Sequence, residues 1–236
     1  MKAKRLVAVL TAVSLMAGLC GMAEPNADQK IKLEQNSTST PALGGKLLYD
    51  GYTLQWADDF NGSELNRDDW NIELHAPGWV NNELQAYVDS PENIYLENGS
   101  LVIKPIEQKN PDGTVSYTSG RVNTQNKHDF KYGIFEARIK VPEGQGFLPA
   151  FWMMPTNENL YGQWPRCGEI DIMEVLGDDT DKSYGTIHYG NPHSESQGSY
   201  QLTAGSFSEE YHNFAVEWEP GRISWYVDGR SEEHTS

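Results

Sequence analysis

The stretch best equipped for chemistry is Gly168-Glu169-Ile170-Asp171-Ile172-Met173-Glu174-Val175, three carboxylates interleaved with apolar residues. In a regular strand side chains alternate between faces, so Glu169 and Asp171 share one face while Ile170 and Ile172 take the other. Parity then puts Glu174 among the isoleucines, where an unpaired carboxylate costs several kcal/mol. One extra residue in the strand removes the conflict. A β-bulge is therefore expected at Ile172-Met173, returning Glu174 to the face of Glu169 and Asp171.

With the bulge counted as one position, the two glutamates stand about four strand steps apart, or about 13 Å between Cα atoms. Side chains leaning toward each other bring the carboxyl groups to about 5 Å. At that spacing one carboxylate attacks the anomeric carbon of a sugar while the other protonates the leaving oxygen; an inverting reaction needs about 6.5 Å or more, to admit a water. Three acids on one face also repel, which raises at least one pKa and keeps a proton available for acid catalysis. The competing readings are a solvated acidic face and a calcium site. The interleaved Ile and Val argue against the first. Gly177-Asp178-Asp179-Thr180-Asp181 is a better oxygen-rich calcium loop than this strand.

The elements that must position these acids read as short strands. Asn98-Gly99 joins Asn93–Glu97 to Ser100–Ile106 as a hairpin, because Asn-Gly tolerates the positive φ of a tight turn. Phe135, Ala137, Ile139 and Val141 form one apolar face, with Glu136, Arg138 and Lys140 pointing the other way. Phe214/Val216/Trp218 and Ile223/Trp225/Val227 repeat that period of two around Glu219-Pro220-Gly221-Arg222. Outside the first residues no segment sustains a period of 3.6. The expected fold is an all-β sandwich of two antiparallel sheets. Trp70, Trp79, Trp152 and Trp164 fall outside clean alternation or beside Gly and Pro, and the last three suggest a cleft in which sugar rings would stack.

The ends and the charge bound the rest. Lys2, Lys4 and Arg5 precede an apolar run from Leu6 to Leu19 and small residues at Gly21-Met22-Ala23, so residues 1–23 read as a secretion signal, too short to span a bilayer comfortably. Residues 24–45 read as a flexible linker. Export places the chain outside the cell or in the periplasm; a lipoprotein anchored at Cys20 is the weaker reading, because Leu19 stands where a small residue is needed. After signal removal Cys167 alone remains, so no internal disulfide is expected. The 236 residues carry a formal charge of −16, which disfavours nucleic acid. After signal removal no membrane partner is expected either, and the chain is expected to be a monomer.

Trp164-Pro165-Arg166-Cys167-Gly168-Glu169-Ile170-Asp171-Ile172-Met173-Glu174 resembles the active-site strand of glycoside hydrolase family 16, most closely its bacterial laminarinase-like endo-β-1,3-glucanases. Further similar segments occur in family order over roughly residues 47–229, among them 78–85, 119–124, 132–138, 151–155 and 185–188. The resemblance implies a jelly-roll sandwich with a concave groove and a retaining endo-glycosidase of β-1,3-glucan, a neutral polysaccharide. It assigns Glu169 as nucleophile, Glu174 as general acid/base and Asp171 as the helper that tunes them. It makes Asn81, Arg121, Trp152, Trp164 and His188 contacts to glucose units. No cofactor is required; a structural calcium is implied, with Asp59 and Gly99 supplying part of an incomplete site. Taken singly, His188 also reads as a core histidine and Arg121 as a structural ion pair. The alternatives are a mixed-linkage β-glucanase or galactan hydrolase of the same family, and a non-catalytic β-glucan-binding protein, against which the presence of both glutamates speaks. The catalytic domain is expected over 46–229 and to lack its last strands, with 230–236 a non-native tail without strand character.

Overall fold

The computed structural model describes residues 5–14, 49 and 52–232, with the backbone alone described for 5–14 and 230–232. The linker 24–45 and Cys20 lie outside the described residues. In chain order the strands are β1 (Arg5–Ser14), β2 (Tyr52–Asp58), β3 (Asn71–Ile72), β4 (Gln85–Tyr87), β5 (Ile94–Glu97), β6 (Ser100–Ile103), β7 (Ile106–Lys109), β8 (Val115–Ser119) and β9 (Val122–Asn123). They continue as β10 (Gly133–Lys140), β11 (Ala150–Met153), β12 (Glu169–Glu174), β13 (Lys182–Tyr189), β14 (Ser194–Gln201), β15 (His212–Glu219), β16 (Arg222–Val227) and β17 (Arg230–Glu232), with one helical turn, α1 (Glu158–Tyr161), before β12.

The hairpins form where period-two segments meet turn residues. Asn98 and Gly99 both have positive φ and pair Glu97 with Ser100 across the β5–β6 turn. β15 and β16 register Phe214 with Val227, Val216 with Trp225 and Trp218 with Ile223. The large sheet runs β17-β16-β15-β10-β1-β6-β5, with β2 also on β1. Facing it across the core is the sheet β11-β12-β13-β14, and two small sheets, β3-β9 and β4-β8-β7, complete the strands. Phe135, Ala137 and Ile139 of β10 and Phe214 and Val216 of β15 pack in one cluster with Ile172, Met173 and Val175 from the β12 region. Two sheets sharing one core is the all-β sandwich expected from the alternation.

Three local features depart from expectation. Glu136 points away from the core, yet it is 5% exposed, because Tyr49 lies over the outer face of β10 and donates its hydroxyl hydrogen to the carboxylate. Burial raises the Glu136 pKa. Arg230–Glu232 does have strand character: Asp228 and Gly229, both with positive φ, turn the chain so that β17 pairs antiparallel with β16. Third, Arg5–Ser14, within the run read as a secretion signal, lies as a parallel strand between β10 on one side and β2 and β6 on the other. If the signal is cleaved, those edges would be open to another strand.

Candidate active site

The bulge in β12 is present where parity required it. Against β11, Phe151 pairs with Met173 and Trp152 with Asp171, leaving Ile172 as the extra residue on that side. Against β13, Asp171 pairs with Thr186 and Glu174 with Tyr184, three steps opposite two. Ile172 and Met173 are thus both buried, at 3% and 0% exposure, while Glu169 and Glu174 keep partial exposure. The strand is held from behind. Trp225 of the large sheet donates its indole N–H to the Asp171 carbonyl at 2.8 Å. The indole also lies where a side chain at Gly185 would have to go, its Cδ1 2.4 Å from an ideal Cβ, so β13 can approach only with glycine there.

Cross-strand register sets the layout of the groove. Glu169, His188 and Glu195 lie in one row across β12, β13 and β14. Trp152, Asp171 and Thr186 form the next. His188 Nε2 lies 3.1 Å from Oδ2 of Asp171, whose side chain is 4% exposed. The half-buried His188 therefore serves the acid in the next row.

Glu169 and Glu174 are both pushed up, to about 7 in each case. Burial is the larger cause and the negative charge of Asp171 the next. Their surroundings nevertheless differ. Trp164 donates its indole N–H to Glu169 Oε2 at 2.5 Å, and His188 and Arg121 add positive potential there. At Glu174 His188 alone pulls the pKa back, against the charges of Asp171, Glu169 and Glu195. A donor aimed at a carboxylate stabilises its ionised form. The Trp164 donor therefore favours the ionised form at Glu169, and no such donor is described at Glu174. Removing the donor should weaken that asymmetry. Trp164→Phe is expected to raise the proton affinity of Glu169 about ten- to 150-fold, since a hydrogen bond to a charged group contributes about 1.5–3 kcal/mol. A carboxyl-carbon NMR titration would show the shift, and an unchanged Glu169 titration would refute the assignment.

Arg121 is the centre of one groove wall. Its guanidinium carbon lies 4.5 Å from the Trp152 ring centroid and 5.1 Å from that of Trp79, and its Nε donates to Glu73 Oε2 at 2.9 Å. Glu73 also accepts from Asn123 at 2.7 Å and meets His75 Nε2 at 2.9 Å. Burial pushes the Glu73 pKa up, but Arg121, Asn123 and His75 together hold it below the usual carboxylate range. The ion pair read for Arg121 is present, with Glu73 as its partner. Trp79 stacks flat on His75, with centroids 3.5 Å apart, and leaves nearly half of its surface exposed. Asn81 is exposed two residues along the same loop, in the left-handed region at φ 51°, and its side chain makes none of the described hydrogen bonds to the acids.

Glu73 and His75 went unrecognised in the sequence. Their partner Arg121 is nearly fifty residues away, and only the docking of β3 on β9 brings them together. The exposed His193 and Glu195 beside Trp164 were also missed; His193 sits in the β13–β14 turn, where no periodicity marks it.

Residues 76–235 match the family described as Glycosyl hydrolases family 16. The chain is 36% identical over 223 residues to glucan endo-1,3-beta-glucosidase A1 of Niallia circulans, covering 87% of this chain and 32% of that protein. It is 40% identical over 185 residues to the glucan endo-1,3-beta-glucosidase of Cryptopygus antarcticus, covering 75% of this chain and 67% of that one. The chain thus spans about a third of the length of the first relative and two thirds of the second. The X-ray structure of an endo-beta-1,3-glucanase from Pyrococcus furiosus superposes with a TM-score of 0.66 at 39% identity, covering 75% of this chain and 71% of that one.

Proposed function

The chain belongs to glycosyl hydrolase family 16, and from that premise we propose that it is a secreted endo-glycosidase that hydrolyses β-1,3-glucan with retention of configuration. The observation that carries the mechanism is the inequality of the two glutamates on the bulged strand: Trp164 donates to Glu169 and not to Glu174. Glu169, the ionised member, attacks the anomeric carbon while Glu174 protonates the departing glycosidic oxygen. The product is a covalent ester of inverted configuration on Glu169. Glu174, now ionised, takes a proton from a water that attacks the same carbon, and the second inversion restores the β-anomer. Asp171 does not meet the sugar in this scheme. Its charge keeps both pKa values high, and its contact with His188 fixes its own position.

The substrate class rests on the groove and on the relatives. Trp79 and Trp164 each leave nearly half of their surface exposed, and the acidic chain favours a neutral glucan over a sulfated polymer. A structural calcium belongs to the same proposal. The Asp59 carbonyl and Asn61 Oδ1 are the oxygens nearest Gly99, two of the roughly six to eight that calcium takes, so the site is incomplete here. No step of the reaction draws on it. Among the described residues no helix is long and apolar enough to cross a membrane.

Reducing-sugar release from laminarin, lichenan and agarose tests the linkage. Release from laminarin well above the other two is the expected result. Equal or greater release from lichenan would replace it with a mixed-linkage glucanase, and release from agarose alone with a galactan hydrolase. Laminarin binding without release from any of the three would leave a binding protein.

A further inference from the structure

His188 carries one face of its ring toward Asp171, and the other face is not idle. Its Nδ1 lies 3.0 Å from His193 Nε2 and 3.4 Å from Glu195 Oε2, and the latter two atoms are 3.8 Å apart. The three atoms form a triangle open to solvent, because the His193 and Glu195 side chains are 40% and 51% exposed. We propose that this triangle is a binding site for one divalent transition-metal ion of the zinc type, coupled through His188 to Asp171.

Three observations carry the proposal. The first is size. Zinc bonds of about 2.0–2.1 Å in a tetrahedron put donor atoms about 3.3–3.4 Å apart, within the range of the three edges here. The second is donor chemistry. Two imidazoles and one carboxylate suit zinc, copper or nickel, whereas calcium and magnesium take oxygen ligands almost exclusively. The third is the far side of His188. A metal-binding histidine generally directs its other ring nitrogen to a carboxylate or carbonyl, which fixes the ring and strengthens it as a donor. His188 Nε2 already faces Asp171 at 3.1 Å. Two imidazole nitrogens at 3.0 Å also need something shared between them, either a proton or a metal ion. Trp164 lies against His193, with ring centroids 5.1 Å apart, and walls the site on the groove side.

An ion at the triangle would sit in the row of Glu169 and bear on Asp171 through one ring. Zinc should therefore inhibit turnover over the same concentration range in which it binds.

The test is isothermal titration of the metal-free whole chain with zinc chloride, without substrate. One equivalent is expected to bind, and His193→Ala and Glu195→Gln should each weaken binding at least tenfold while leaving the near-ultraviolet circular dichroism unchanged. Absence of a one-to-one isotherm would overturn the proposal, and so would an affinity in both variants equal to that of the parent. A proton shared between the two histidines, with no metal bound, would give the first of these outcomes. Because the titration reads no glycosidase activity, its result stands apart from that of the polysaccharide assays.

Discussion

Glu169→Ala is expected to lower kcat on laminarin by about 10⁴-fold or more, while the fold and the affinity for oligosaccharides survive. The reason is that no other group on the strand can take its part. Asp171 is nearly fully buried, engaged with His188 and too short, and Glu174 lies beyond the bulge as the proposed proton donor. The variant separates nucleophile from bystander through its product. Azide added to Glu169→Ala, with an activated aryl β-glycoside, would occupy the vacated space and attack once, giving a glycosyl azide of inverted α configuration. The same experiment on Glu174→Ala would let azide attack the ester on Glu169 and give the β-azide. An α product from the Glu174 variant would exchange the two roles. Turnover retained in Glu169→Ala would refute the nucleophile assignment outright.

Glu174→Gln is expected to cost about 10²–10⁴-fold on glucan, the usual range for a positioned proton donor. The loss should be much smaller with an aryl leaving group that departs without a proton. The pH profile supplies the sign. Burial and Asp171 push the Glu174 pKa up to about 7, so the acid form exists below that pH and is lost as pH rises through it. The pair titrates as a unit, and the alkaline limb of kcat/KM near neutral pH should belong to it. In Glu174→Gln that limb should disappear. Stability should move the other way. A carboxyl with a raised folded-state pKa costs no stability below its unfolded value of 4.5, loses stability as pH rises from there to about 7, and is fully destabilising above that. Replacement by Gln should accordingly raise Tm at pH 8 by a few degrees, about 1–2 kcal/mol for a domain of this size, and change it little at pH 4. An alkaline limb surviving in the variant would show that another group holds the proton.

The arrangement of the acids was legible before folding because its cause is local. Glu169, Asp171 and Glu174 lie within six residues, and the clash between period-two parity and a buried carboxylate has one cheap solution, the bulge that β12 contains at Ile172-Met173. The β5–β6 and β15–β16 hairpins were legible for the same reason, since turn residues and alternation sit side by side in the chain. Glu136 shows where this reasoning stops. Alternation placed it correctly on the outer face, but only the packing of Tyr49 and Tyr52 over that face decided that the outer face is covered.

The division of labour between the two glutamates belongs to the tertiary structure alone. They are chemically identical and share one strand, so their order along the chain does not by itself decide which keeps the proton. That choice rests on Trp164, whose loop turns its indole N–H onto Glu169, and on Arg121, fixed by a Glu73 that is close only because β3 docks on β9. The triangle of His188, His193 and Glu195 likewise depends on the register of the β13–β14 hairpin. Sequence determined the three carboxylates, the strand that bears them and the face they share, because those follow from chain geometry over a few residues. Which carboxylate is ionised, and what stands behind His188, follow from electrostatics between segments that only folding brings within a few ångströms.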